Sequence, residues 1–247
     1  MWGDFFLFIA VGLAAQMVDG AIGMAYGVIS TSVLLSVGVP PATASAAVHA
    51  AETVTTGASG LAHWRLGNID RALIWRLAVP GMIGGAIGAY VLTAIPGEAI
   101  RPYVSGYLFL LGLFILWKAA RAQPTAPPPP SRVAPLGFAG GMLDAIGGGG
   151  WGPIVTSTLL GQGATPRYAI GSVNLAEFFV ALTISATFLF TIGLALWPII
   201  AGLVVGGVLA APFAALVTKH LPARVLMVLV GCAVVILSTR GLLRALA

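Results

Sequence analysis

Charge is scarce in this chain. Only 8% of its 247 residues are Asp, Glu, Lys or Arg, against 59% that are hydrophobic. A soluble domain carries roughly 25% charged residues. No soluble domain of useful size fits between the apolar segments, and a mean hydropathy of +1.02 describes an integral membrane protein. Acid is scarcer still, with seven Asp and Glu against twelve Lys and Arg. The basic balance does not point to nucleic acid, because the cations are scattered near segment ends, as the positive-inside rule expects. The one cysteine, Cys232, sits in an apolar segment, which excludes disulfides within the chain and thiolate metal sites. No metal-ligand spacing, P-loop or serine-hydrolase elbow is present, so the sequence implies no enzyme, no metal and no cofactor. Met1-Trp2-Gly3-Asp4 lacks the basic region of a signal peptide, so the first apolar segment is expected to stay in the mature protein.

What the chain has in abundance is apolar sequence in lengths that suit membrane helices, for which about 20 residues are needed. Ten candidate segments cover 4–18, 24–37, 42–63, 71–94 and 99–118, then 133–146, 151–162, 167–190, 194–217 and 223–240. The first two of each five are short, and glycine lies between them. They form either a hairpin dipping into the membrane or two tilted short helices. The run Gln123-Pro124-Thr125-Ala126-Pro127-Pro128-Pro129-Pro130 is a linker by composition. It separates a first transmembrane repeat (1–122) from a second (133–247), with 123–132 between them.

The two halves are repeats. Shifting the chain by 125 positions aligns Gly12–Glu52 with Gly137–Glu177 without a gap, and pairs Asp19 with Asp144, Gly23 with Gly148, Thr31 with Thr156, Ser32 with Ser157, and Glu52 with Glu177. Paired carboxylates are hard to obtain by chance in a chain this poor in acid. The expected fold is therefore an all-α polytopic membrane protein made of two homologous repeats with Gly-broken helical hairpins. Arg65, Arg71 and Arg76 surround one loop, whereas its second-half counterpart, Thr191–Leu196, carries no charge. That asymmetry favours inverted repeats, although Arg240 and Arg244 then fall on the outer side. The competing arrangement counts each broken pair as one span and makes the repeats parallel.

The stretch Asp144-Ala145-Ile146-Gly147-Gly148-Gly149-Gly150-Trp151-Gly152-Pro153 suits a deliberately broken membrane helix, which is tolerated where backbone is buried in protein or lines a polar cavity. Corresponding Gly-interrupted segments in two halves are the pattern of a transporter site. Backbone N–H groups at a helix N-terminus cradle anions. Gly147, Gly148, Gly149 and Gly150 before Trp151, and Gly23 in the other half, are the candidate anion cradle, with hydroxyls from Thr31, Ser32, Thr156 and Ser157. The alternative for the glycines is close helix packing, the reading preferred for Gly81, Gly84, Gly85 and Gly88. Arg76 either contacts an anion or snorkels to the interface. Four of the seven acids, Asp19, Glu52, Asp144 and Glu177, lie inside apolar segments and are candidates for coupling or gating. The two aspartates equally suit helix capping. Ser45, His49, Glu52, Thr56, Ser59 and His63 form one polar stripe at spacings of three and four. His49 lies one turn before Glu52, as expected for a proton relay or a buried hydrogen-bonded pair, and Asn174 takes its place in the second half.

The Asp-then-glycine block, its duplication, and the segments Gly38-Val39-Pro40-Pro41-Ala42-Thr43-Ala44 and Gly163-Ala164-Thr165-Pro166-Arg167-Tyr168-Ala169 resemble the TauE/SafE sulfite exporter family. The resemblance covers nearly the whole chain. It implies a multi-pass secondary transporter in the inner (plasma) membrane of a bacterium, moving small sulfur-containing anions such as sulfite or organosulfonates, usually outward. The expected partners are that anion, the lipid bilayer and protons, with a homodimer as the assembly to test. The rival readings are a cation or metal-ion transporter using the carboxylates and, from another class, a membrane-embedded enzyme.

Overall fold

A computed structural model describes residues 2–121, 132–162, 164–193, 197–220 and 223–246. These residues form helices and no strand. The first half comprises α1 (Trp2–Ile22), α2 (Tyr26–Ser36), α3 (Pro41–Arg65), α4 (Arg71–Ala94) and α5 (Gly97–Ala120). The second comprises α6 (Val133–Gly147), a π-helical turn (Gly152–Thr156) leading into α7 (Ser157–Gly161), then α8 (Pro166–Thr191), α9 (Trp197–His220) and α10 (Ala223–Leu246). Four helices among the described residues are long and apolar enough to cross a membrane: Arg71–Ala94, Gly97–Ala120, Arg167–Thr191 and Arg224–Arg244. The protein is thus an all-α membrane protein. The proline-rich segment 122–131, Gly163 and 194–196 lie outside the described residues.

Helix ends follow local chemistry. Pro41 opens α3, where its missing N–H costs nothing. Asp70 caps α4, its carboxylate accepting from the N–H groups of Ala72 and Leu73 at 2.9 and 3.1 Å. The breaks come at glycine. Gly23 and Gly148, a repeat-matched pair, both adopt the left-handed conformation, at φ 68° and 65°, which glycine reaches without steric cost. With 11 residues, α2 is only about 17 Å long, far short of a bilayer core.

Packing is carried by small residues. α6 lies along α4 in the same direction: Gly137 meets the backbone of Leu77, Gly141 that of Gly81, and Gly88 that of Met142. α1 lies along α9 in the same way, with Gly202 against Phe8 and Gly206 against Ile9 and Leu13. α3 and α8 are antiparallel. Ser59 meets Asn174, Gly57 meets Phe178, Thr53 meets Ser185 and His49 meets Phe188.

The ends of the helices sort into two groups. At one end Ile69–Leu73, Val133, Ala164 and Thr165 border a single open cleft. There Arg167 binds Asn68 and the Leu66 carbonyl. α6 therefore starts, and α7 finishes, at the same end of the bundle. At the other end Arg101 donates to the Gly38 carbonyl at 2.9 Å and Arg244 to the Ser36 carbonyl at 2.6 Å. These contacts anchor the two arginines to the segment where α2 ends. They neutralise the carbonyl end of α2, where cations are favoured.

Candidate functional site

The two breaks meet in the middle of the bundle. Thr31 donates a hydrogen bond to the Gly148 carbonyl. A side chain at Gly27 would come within 2.8 Å of Gly149. Tyr107 on α5 donates to the Gly149 carbonyl at 3.2 Å, and its ring lies where a side chain on Gly147 would go. The glycine run thus makes room for neighbouring protein: Gly149 for the backbone of Gly27 and Val28, Gly148 for Thr31, and Gly147 and Gly150 for Tyr107.

Each break is capped by its own aspartate. Asp19 Oδ1 accepts from the N–H of Ala25 at 2.7 Å and of Tyr26 at 3.2 Å. Asp144 Oδ1 accepts from the N–H of Trp151 at 3.0 Å. Tyr26 and Trp151 are themselves 125 positions apart, so the two caps are equivalent. Glu52 lies beside the first, its Oε1 packed against Gly27. The half-helix N-termini, expected from sequence to face a ligand anion, are engaged by the protein's own carboxylates.

All four intramembrane acids converge. Asp19, Glu52, Asp144 and Glu177 line one cavity together with Met24, Ala25, Tyr26, Gly27, Val28, Gly150, Gly152 and Pro153. The cavity is constricted, with room for about one water-sized occupant. Its lining comes from both halves and from α3 and α8 at their crossing.

The remaining candidates named from the sequence are not among the residues that line this cavity. His49 is fully buried, with Nε2 3.2 Å from Asp144 Oδ2 and 4.0 Å from Glu52 Oε2. Ser32 and Thr156 carry buried hydroxyls without a hydrogen-bond partner. Ser157 packs against Met24, its hydroxyl 3.9 Å from the sulfur. Trp151 is wholly buried against Gly81, Gly140 and Val180 and fills core. Asn174 donates to Ser59 at 3.0 Å, so the second-half counterpart of His49 ties α8 to α3. The rest of the polar stripe likewise faces protein: Ser45 donates to the Ala145 carbonyl at 2.6 Å, and Thr56 to the Glu52 carbonyl at 2.6 Å.

Sequence reasoning missed Tyr107 and Tyr26. Tyr26 donates from its hydroxyl to the Leu203 carbonyl at 2.9 Å and lines the cavity. Its place seven residues after Asp19, matching Trp151 after Asp144, was the available signal. Tyr107 had none, because α5 carries no polar pattern. Arg76 lies in the open cleft at the basic end beside Asp70 and Arg71, away from the cavity.

No solved structure is significantly similar to the chain. It is 41% identical over 246 residues, covering 96% of this chain and 82% of the relative, to the probable membrane transporter protein YtnM of Bacillus subtilis (strain 168). Both that relative and the family point to a membrane transporter rather than an enzyme. Residues 8–241 match the sulfite exporter TauE/SafE family, and the chain belongs to it.

Proposed function

We propose that this transporter moves small sulfur-containing anions, of the sulfite or organosulfonate kind, outward across a bacterial inner membrane. The observation that carries the reading is the crossing of two broken helices, one per half, at a cavity in the bundle of a sulfite exporter family member. Broken helices that meet near the midplane are the usual construction of a secondary-transport site. In this reading the substrate reaches the cavity beside Gly150, with Gly23 and the free hydroxyls of Ser32 and Thr156 in the neighbouring segments. Thr31, Ser157 and Gly147–Gly149 shape that crossing.

The four carboxylates act as coupling or gating groups. An anion in a low-dielectric cavity is repelled by each ionised carboxylate, so those groups must be neutralised while it passes. His49 lies within reach of two of them.

The repeats are inverted in this reading. The antiparallel course of α3 and α8 supports it, as does the pairing of α1 with α9 where α6 pairs with α4. Arg65, Arg71, Arg121 and Arg132 then mark the cytoplasmic end.

Four acids around one cavity favour a second reading, a cation transporter. Flux in proteoliposomes discriminates between them. Uptake or release of labelled sulfite or an organosulfonate, with none of a metal-ion panel, supports the first. Metal-ion flux without anion flux establishes the second.

A further inference from the structure

The arrangement of His49, Glu52 and Asp144 carries a conclusion independent of the transported substrate. We propose that these three residues form a binding site for one divalent transition-metal cation of the zinc type.

Each of the three residues has one atom tied to the protein and a second atom turned to a common centre. His49 Nδ1 lies 2.8 Å from the Ser45 carbonyl. A carbonyl only accepts, so Nδ1 carries the proton, and in the neutral ring Nε2 presents its lone pair. Asp144 Oδ1 is held by the Trp151 N–H, leaving Oδ2 free. Glu52 lies with Oε1 against Gly27, leaving Oε2 buried without any hydrogen-bond partner. Three electron-pair donors thus face one another within 4.8 Å.

A proton satisfies this centre incompletely. Placed on Nε2, it reaches Asp144 Oδ2 at 3.2 Å, but Glu52 Oε2 at 4.0 Å is beyond hydrogen-bond distance. A single cation between the three reaches all of them. Zinc–ligand distances of about 2.0–2.2 Å place neighbouring ligand atoms of a tetrahedron roughly 3.3–3.6 Å apart, and the observed 3.2 and 4.0 Å bracket that range.

The donor set selects the ion. One imidazole with two carboxylates suits zinc and its neighbours, whereas magnesium and calcium take all-oxygen sets. Two carboxylates and a divalent ion sum to zero charge, which matters at 3% exposure for Glu52, 2% for Asp144 and 0% for His49. The Nδ1–H to backbone carbonyl bond is the outer-shell contact that orients ligating histidines. Ser45 supplies it, and its hydroxyl binds the Ala145 carbonyl at 2.6 Å, joining the two ligand-bearing segments. Glu52 and Asp144 also line the cavity. Asp19 and Glu177 face the same space, and Phe188 closes the far side of His49.

The test is a binding measurement that does not involve transport. Protein purified in detergent and stripped with chelator is titrated with Zn2+ by calorimetry, and with Co2+ while recording visible absorption. The expected result is one Zn2+ per chain, a Co2+ spectrum with ligand-field bands, and no competition from millimolar Mg2+. Glu52→Gln and His49→Gln should each weaken Zn2+ at least tenfold, while Glu98→Gln at the surface leaves it unchanged. Absence of stoichiometric binding to the wild-type chain overturns the proposal, even if His49→Gln does not fold. So does wild-type affinity in folded Glu52→Gln, because the three donors then share protons only. Anion flux failing in liposomes would leave this result untouched.

Discussion

Asp144 accepts the backbone N–H of Trp151 at 3.0 Å, and its mate Asp19 accepts that of Tyr26 at 3.2 Å. One carboxylate per half therefore restarts the chain after each glycine break. Its acceptor oxygen lies at the positive end of the following short helix, where the helix dipole favours it. Loss of such a cap typically costs about 1 kcal/mol. Asp19→Ala should lower thermal stability in detergent by that amount, and Asp19→Asn should recover most of it. Full stability of Asp19→Ala together with lost flux would show that the group serves transport and not the helix end.

Glycines differ sharply in what surrounds them. On α4, Gly84 faces the carbonyl of Phe138 so closely that any side chain overlaps it, whereas Gly106 on α5 has nothing within 4 Å. Overpacking of this kind costs about 1–3 kcal/mol, while replacing an unhindered helical glycine by alanine gains up to about 1 kcal/mol. Gly84→Ala is thus expected to destabilise and Gly106→Ala to be neutral or stabilising, as read from unfolding midpoints in the same detergent. Equal behaviour of the two would mean that the α4–α6 contact is looser than the geometry implies.

Much of this architecture was readable from the sequence, for physical reasons. Apolar length located all ten helical segments, since hydrocarbon demands runs of that kind. Glycine after aspartate located both breaks, because few other residues tolerate the backbone found at Gly23 and Gly148. The meeting of His49 with Asp144 was not readable: 95 positions separate them, and no periodicity links one helix to another. The role of Gly147–Gly149 was also ambiguous. The same small residues serve an anion or a neighbouring backbone, and only the approach of Gly27, Thr31 and Tyr107 distinguishes the two. Asn174 shows the same limit of periodicity, since its match to His49 in the repeat does not extend to its partner, Ser59.

Topology offers a third measurement. In the inverted arrangement the loop after α3 and the end of α8 lie on opposite sides of the membrane. Leu66 and Ile192 are both exposed there. With Cys232 replaced by serine, Leu66→Cys should react with a membrane-impermeant thiol reagent only in inside-out vesicles, and Ile192→Cys only in right-side-out ones. Reaction of both from one side would sink the inverted arrangement.

Coupling is the most consequential expectation. Export of a monoanion is already favoured by a negative-inside potential, by roughly 2.3 kcal/mol per charge per 100 mV. No ion gradient is required on energetic grounds. For the proposed anion the obstacle is local: it would meet four carboxylates around a narrow cavity, and one close ionised group in a medium of low dielectric outweighs the driving force from the potential. Passage therefore needs carboxylates that take up protons as the anion arrives and release them afterwards. Flux should then rise as pH falls. In the metal-free protein Glu52 is the leading candidate, because its Oε2 lacks a partner and His49 stands 4.0 Å away; with a divalent cation on Oε2 the proton-carrying role falls to Glu177, its repeat mate. Glu52→Gln is permanently neutral and close in shape. It should fold, retain flux and lose the acid stimulation, with a flat rate across the range where the wild type varies. Glu177→Gln should flatten the profile in part, and the double variant completely. Unaltered pH dependence in all three variants would leave the glutamates as hydrogen-bond partners of the crossing and the protein as a simple uniporter.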